Sequence, residues 1–215
     1  MFRPGYPSDL GGESEPERLV HTPLHLRLRR ETAHEHETLE SRLHLLEPEL
    51  SLHRYRLVLQ SFHGFYGPVE DELSRLVATM PALGFPLRPR AQLLERDLLA
   101  LGLSRYDVAA LPRCAHLPRL LQTEHLAGCL YVLEGACLGG QILAKSLRGR
   151  LPLTNDRGLS FFVGDGRNTG ERWKRMLAWL EDLVRGGSSA DDIVATARET
   201  FRSLGSWLEL TGATG

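Results

Sequence analysis

Residues 24–46 read LHLRLRRETAHEHETLESRLHLL. Leu28, Thr32, Leu39, Leu43 and Leu46 recur at spacings of three, four and seven, the period of one face of an α-helix. The preceding Pro23 suits the entry to that helix, and Pro48 interrupts the pattern beyond it. The dense centre of the stretch runs from Glu31 to Glu40. There Thr32, His36 and Glu40 stand four residues apart and share a face, while His34 lies about 160° around the helix from His36. Only one of these two histidines can serve a given pocket.

The same period governs the middle of the chain. Ser51 can cap a helix over 52–80 whose stripe is Tyr55, Val58, Leu59, Phe62, Tyr66 and Val69, with a bend expected at Gly64, Gly67 and Pro68. A third helix is expected near 90–101, and SRYDVAALP (104–112) reads as a connector with its own turn. A fourth should pass through PRLLQTEHLAGCLYVLEGACLGGQILAKSLRG (118–149). FFVGDGRNTG (161–170) reads as a glycine-rich connector. Two more helices complete the chain, the first capped by Thr169 or the turn at Gly170, the second by Ser188 or Ser189 with Asp191 and Asp192 in its first turn. No run alternates with period two, and no GxGxxG succeeds a strand pattern. The fold class is therefore all-α, a single domain over 21–210 with seven or eight helices. Residues 1–20, rich in Pro, Gly, Ser and Glu, read as a flexible arm, and 211–215 as a tail.

Twenty-six Lys and Arg face 27 Asp and Glu, a net charge of −1, which supplies no broad field for nucleic acid or an anionic membrane. Cys114, Cys129 and Cys137 form no CxxC pair, and three thiols cannot all pair within one chain. No signal-peptide pattern or uninterrupted run of 18 apolar residues occurs, so the sequence reads as cytoplasmic, with no membrane and no nucleic acid as partner.

The fourth helix carries Gly135, Gly139 and Gly140, each costing about 1 kcal/mol of helix propensity against alanine. Two physical reasons offset that cost: a broad planar ligand lying against the backbone, or a close helix crossing. Other polar groups carry less. His21 and His25 have the i,i+4 spacing of a metal pair without further convergent ligands, and Cys129 and Cys137 read as packing residues. Glu134 either faces a pocket or pairs with an arginine. Trp173, Trp179, Phe201 and Trp207 are assigned to the core.

Four pieces together resemble the biliverdin-producing haem oxygenases, especially bacterial members that supply phytochromes. They are Leu28-Arg29 with Thr32, His36 and Glu40; FHGFYGPVEDEL (62–73); YVLEGACLGGQIL (131–143); and FFVGDGRNTGERWKRMLAWLE (161–181). The likeness spans about Leu24 to Leu210. It implies that haem is both cofactor and substrate, with the family's proximal histidine falling on His36 and an acidic partner for its other ring nitrogen on Glu40. It places distal-helix glycines on Gly135, Gly139 and Gly140. It puts propionate-binding cations on Arg29 and Lys174, with Arg175 beside the latter.

The resemblance also implies O2 as co-substrate and an external electron donor such as a ferredoxin, flavodoxin or reductase. Biliverdin, CO and ferrous iron would be the products, with a bacterial phytochrome as an acceptor of the pigment. The sequence departs from many members at Ala136, where they carry an aspartate that organises distal water. That departure favours one alternative, a non-catalytic haem-binding or photoreceptor-regulating protein on the same fold. An enzyme using another cofactor is disfavoured by the lack of a cysteine nucleophile or a carboxylate-histidine diiron repeat.

Overall fold

The structure, a computed structural model, describes residues 22–80 and 84–214. The expected arm at 1–20 and His21 lie outside the described residues. Nine α-helices occur among the described residues: α1 (Leu24–Glu31), α2 (Ala33–Leu43), α3 (Leu52–Ala78), α4 (Ala91–Ala100), α5 (Arg105–Ala109), α6 (Thr123–Arg148), α7 (Ser160–Val163), α8 (Thr169–Arg185) and α9 (Ala190–Leu210). A single 3-10 turn at Gly166–Asn168 leads into α8, and the described residues contain no strand beyond isolated bridges at Thr154.

The stretch 24–46 is one hydrogen-bonded run with a joint. Thr32 leaves helical geometry at φ −105° and ψ 0°, yet its N–H still donates to Leu28 and its carbonyl accepts from His36. Its hydroxyl also donates back to the Leu28 carbonyl at 2.8 Å, a contact that bends helices. Counted as one jointed helix, α1 and α2 bring the number to eight, within the expected seven or eight. The helix ends at Leu43 rather than Leu46, because His44 turns left-handed at φ 52°.

At Gly64, Gly67 and Pro68, α3 continues unbroken where a bend was expected. Pro68 has no N–H for the Gly64 carbonyl one turn earlier. That carbonyl accepts instead from Cys114 N–H at 2.8 Å, so the loop before α6 completes the ladder. Ser51 and Ser189 cap α3 and α9 as expected, accepting from Arg54 and Asp192. The cap expected from Thr169 or Gly170 is absent: α8 begins at Thr169 behind Asn168, with no side-chain cap. The connectors at 104–112 and 161–170 hold short helices, α5 behind a Ser104–Asp107 capping box and α7.

α6 is the axis of the molecule, packed along α9 and covered on its second half by α7 and α8. It is long and apolar enough to cross a membrane, but 56% of its most apolar window is buried inside the bundle, the pattern of a core helix. α2 lies against α9 rather than closely on α6. The space left between α2 and α6 is where the site forms.

Candidate functional site

A cavity of about 240 Å³ occupies that gap. His36, Leu39 and Leu43 line it from α2, Gly135, Ala136 and Gly139 from α6. Aromatic side chains close the rest: Phe62 and Tyr66 of α3, Phe161 and Phe162 of α7, Trp173 of α8 and Phe201 of α9. A second cleft, sharing Glu40, Leu43, Leu45, Gly139 and Leu143, opens it to the surface.

His36 stands at the edge of this space with its side chain half exposed. The Phe201 ring meets the imidazole edge-on at 5.6 Å and 86°. Glu40 Oε1 lies 3.5 Å from Nε2. That is an ion-pair distance between i and i+4 partners on one helix face. His34 faces a separate groove with Arg42 and Arg202, as the helical spacing predicts.

The three glycines divide. A Cβ on Gly139 would meet nothing within 4 Å, and one on Gly135 would lie 3.6 Å from the Trp173 ring, so both open onto the cavity. Gly140 differs from the expectation of a pocket residue. A Cβ there would sit 2.8 Å from the Phe162 carbonyl oxygen, so its small size serves the close approach of α7. Gln141 donates across the same contact to the Val163 carbonyl.

Arg29 and Lys174 are exposed and lie outside the cavity lining. Arg29 acts electrostatically on Tyr131, a lining phenol whose pKa burial pushes up. His36, Glu40, Gly135 and Gly139 are therefore brought together, the two cations stand outside, and Gly140 turns away.

Behind α6 the structure places charges whose mutual arrangement the sequence did not reveal. Glu134 accepts from Arg172 Nε at 2.8 Å and Nη2 at 2.5 Å, and from Arg90 at 3.4 Å. Asp165 completes the group beside both arginines and Arg88. Asp97, fully buried, accepts from the N–H groups of Gly158, Ser160 and Phe161 at 2.8–3.1 Å and so anchors α7. Burial pushes its carboxyl above the usual range against those hydrogen bonds. Trp173 and Phe201, expected in the core, are cavity walls. Cys129 and Cys137 are buried thiols as expected, both pushed up to about 12 by burial. His25 pairs with Glu181, and no metal-ligating cluster occurs among the described residues.

The geometry is that of an all-helical bundle with a histidine and two glycines lining one aromatic-walled cavity. Comparison with known proteins gives the family. A family model described as Heme oxygenase matches residues 22–210. A heme oxygenase of Xanthomonas campestris pv. campestris is 31% identical over 147 residues, covering 68% of this chain and 84% of that protein. The fold is similar to that of heme oxygenase from Leptospira interrogans, with TM-score 0.70, 23% identity and coverage of 88% of this chain and 100% of that one. Heme oxygenase-1 from the cyanobacterium Synechocystis, solved in complex with heme, superposes with TM-score 0.69 at 22% identity over 88% of this chain and 92% of that one. The chain belongs to the haem oxygenase family, and its cofactor is haem.

Proposed function

We propose that the cavity between α2 and α6 binds haem with His36 as the axial ligand and that the chain opens the macrocycle to biliverdin, CO and ferrous iron. The observation that carries this reading is the placement of His36 at the rim of an aromatic slot whose opposite wall is backbone at Gly135 and Gly139. The slot suits the group: stacked aromatic and aliphatic walls accept a flat apolar ring, and the imidazole offers a neutral nitrogen. The open space before Gly139 leaves room for a small ligand on the far face. When bound, haem supplies the iron that activates O2 and is itself the substrate.

The protein's own residues orient and shield. Phe201 and Glu40 hold the imidazole, while Phe161, Phe162 and Trp173 exclude bulk water from the ring. Arg29 and Lys174, exposed cations on α1 and α8, are assigned to the propionates, whose charge needs a partner at the mouth. Ala136 brings no carboxylate to the α6 wall, so backbone groups and water carry protons on that side. Electrons come from a separate ferredoxin, flavodoxin or reductase, and the pigment fits a phytochrome as acceptor.

The test is aerobic turnover. Haem and a reductant are added to the protein and the absorption spectrum is followed. Replacement of the Soret band by the broad long-wavelength band of biliverdin is expected; a stable, unconverted haem complex would reject the reaction.

A further inference from the structure

Two adjacent pairs of residues in this fold face opposite ways. On α6, Glu134 is buried toward α8, and the next residue, Gly135, lines the cavity. On α8, Arg172 is buried toward α6, and the next residue, Trp173, lines the same cavity. The first members grip each other through both carboxylate oxygens, at 2.5 and 2.8 Å. The second members meet at the cavity's edge, where a Cβ on Gly135 would lie in van der Waals contact with Trp173 Cη2 at 3.6 Å.

We infer that Glu134 and Arg172 are positioning residues whose two-pronged contact seats Trp173 against α6 and so fixes that wall of the haem slot. This rests on the assignment of haem to the slot. A planar guanidinium meeting a carboxylate through two parallel bonds fixes direction as well as distance, which a single contact or an apolar pair would not. The guanidinium is also held from other sides: it donates to the Pro86 carbonyl at 2.9 Å and lies over the Phe85 ring at 4.6 Å. Arg90 braces Glu134 from α4's N-terminus. A buried ion group adds little to stability over well-packed apolar side chains, so the directional geometry is what it contributes here.

The test is the rate at which CO binds the ferrous haem complex, a measure of access to the slot that needs no turnover. Arg172→Lys keeps the charge and loses the fork. With the ferric His36-ligated spectrum retained, its CO association rate should rise about threefold or more, and this effect should vanish when Trp173→Ala has already removed the ring that the pair seats. Glu134→Gln, which keeps the shape and one acceptor, should behave in the same way. A rate unchanged in R172K, or an equal rise in the Trp173→Ala background, would overturn the inference. Failure of both R172K and E134Q to fold would overturn it too, since the pair would then hold the bundle rather than one wall of the slot. The wild-type complex keeps the two readings apart: absence of haem ligation there would refute the haem site, whereas intact ligation with an unresponsive R172K would refute the lock alone.

Discussion

At the scale of single residues, neighbouring glycines on α6 have different reasons to be glycine. A leucine at Gly139 would extend into open space beside the haem site. Gly139→Leu should therefore stay folded, helped by about 1 kcal/mol of helix propensity, while slowing CO binding and losing most turnover. Gly140→Ala would press a methyl against the Phe162 backbone 2.8 Å away and should cost about 1–3 kcal/mol. Urea unfolding and CO kinetics on both variants separate the two roles, and the reverse ranking would contradict them. The distinction was legible in the sequence from helical geometry: Gly135 and Gly139 are one turn apart on a face, and Gly140 lies about 100° further round. His36 and His34, separated by the same geometry, fall on different surfaces as the sequence indicates.

At the scale of elements, the long helices follow from apolar period and caps, whereas the short ones depend on partners distant in the chain. α7 has four residues and reads as a glycine-rich connector because the carboxylate that satisfies its first N–H groups belongs to Asp97, some sixty positions earlier. Asp97→Ala would orphan three buried donors, each costing about 1–3 kcal/mol, and release Phe161 and Phe162 from the slot. Loss of stability together with weaker haem binding is expected in chemical unfolding and haem titration; a variant as stable as wild type would refute the anchor.

The tie between α2 and α9 gives a pH dependence. Burial works against the Glu35 charge, but Arg198 and Arg202 bring its carboxyl below the ordinary glutamate value. The folded state thus holds that proton less tightly than the unfolded chain, so the stabilisation is present above the ordinary glutamate range and lost as pH falls through the lower folded value. Glu35→Gln should be less stable than wild type at about pH 7 and approach it at about pH 3. A gap that stays constant with pH would contradict this.

At the scale of the whole molecule, the all-α class and the helix count were open to reading because period and capping are local. The cavity was not, because its walls come from several helices and its width is set by side chains far apart in sequence, such as Trp173 and Phe201. Aromatic residues on late helices read equally well as core, and here Trp173 and Phe201 also line the cavity. Haem that binds only the folded chain should stabilise it by mass action, about 2.7 kcal/mol at a hundredfold excess over Kd. The corresponding rise in Tm should shrink in His36→Ala, as thermal scans with and without haem would show. The most direct test of the haem site is the axial ligation of the ferric complex in wild type, His36→Ala and His34→Ala, tracked by absorption and resonance Raman spectra with and without added imidazole. Wild type and H34A are expected to share one histidine-ligated signature, with H36A losing it and regaining it with free imidazole; an unchanged signature in H36A, or its loss in H34A, would contradict the assignment of His36 as the iron ligand.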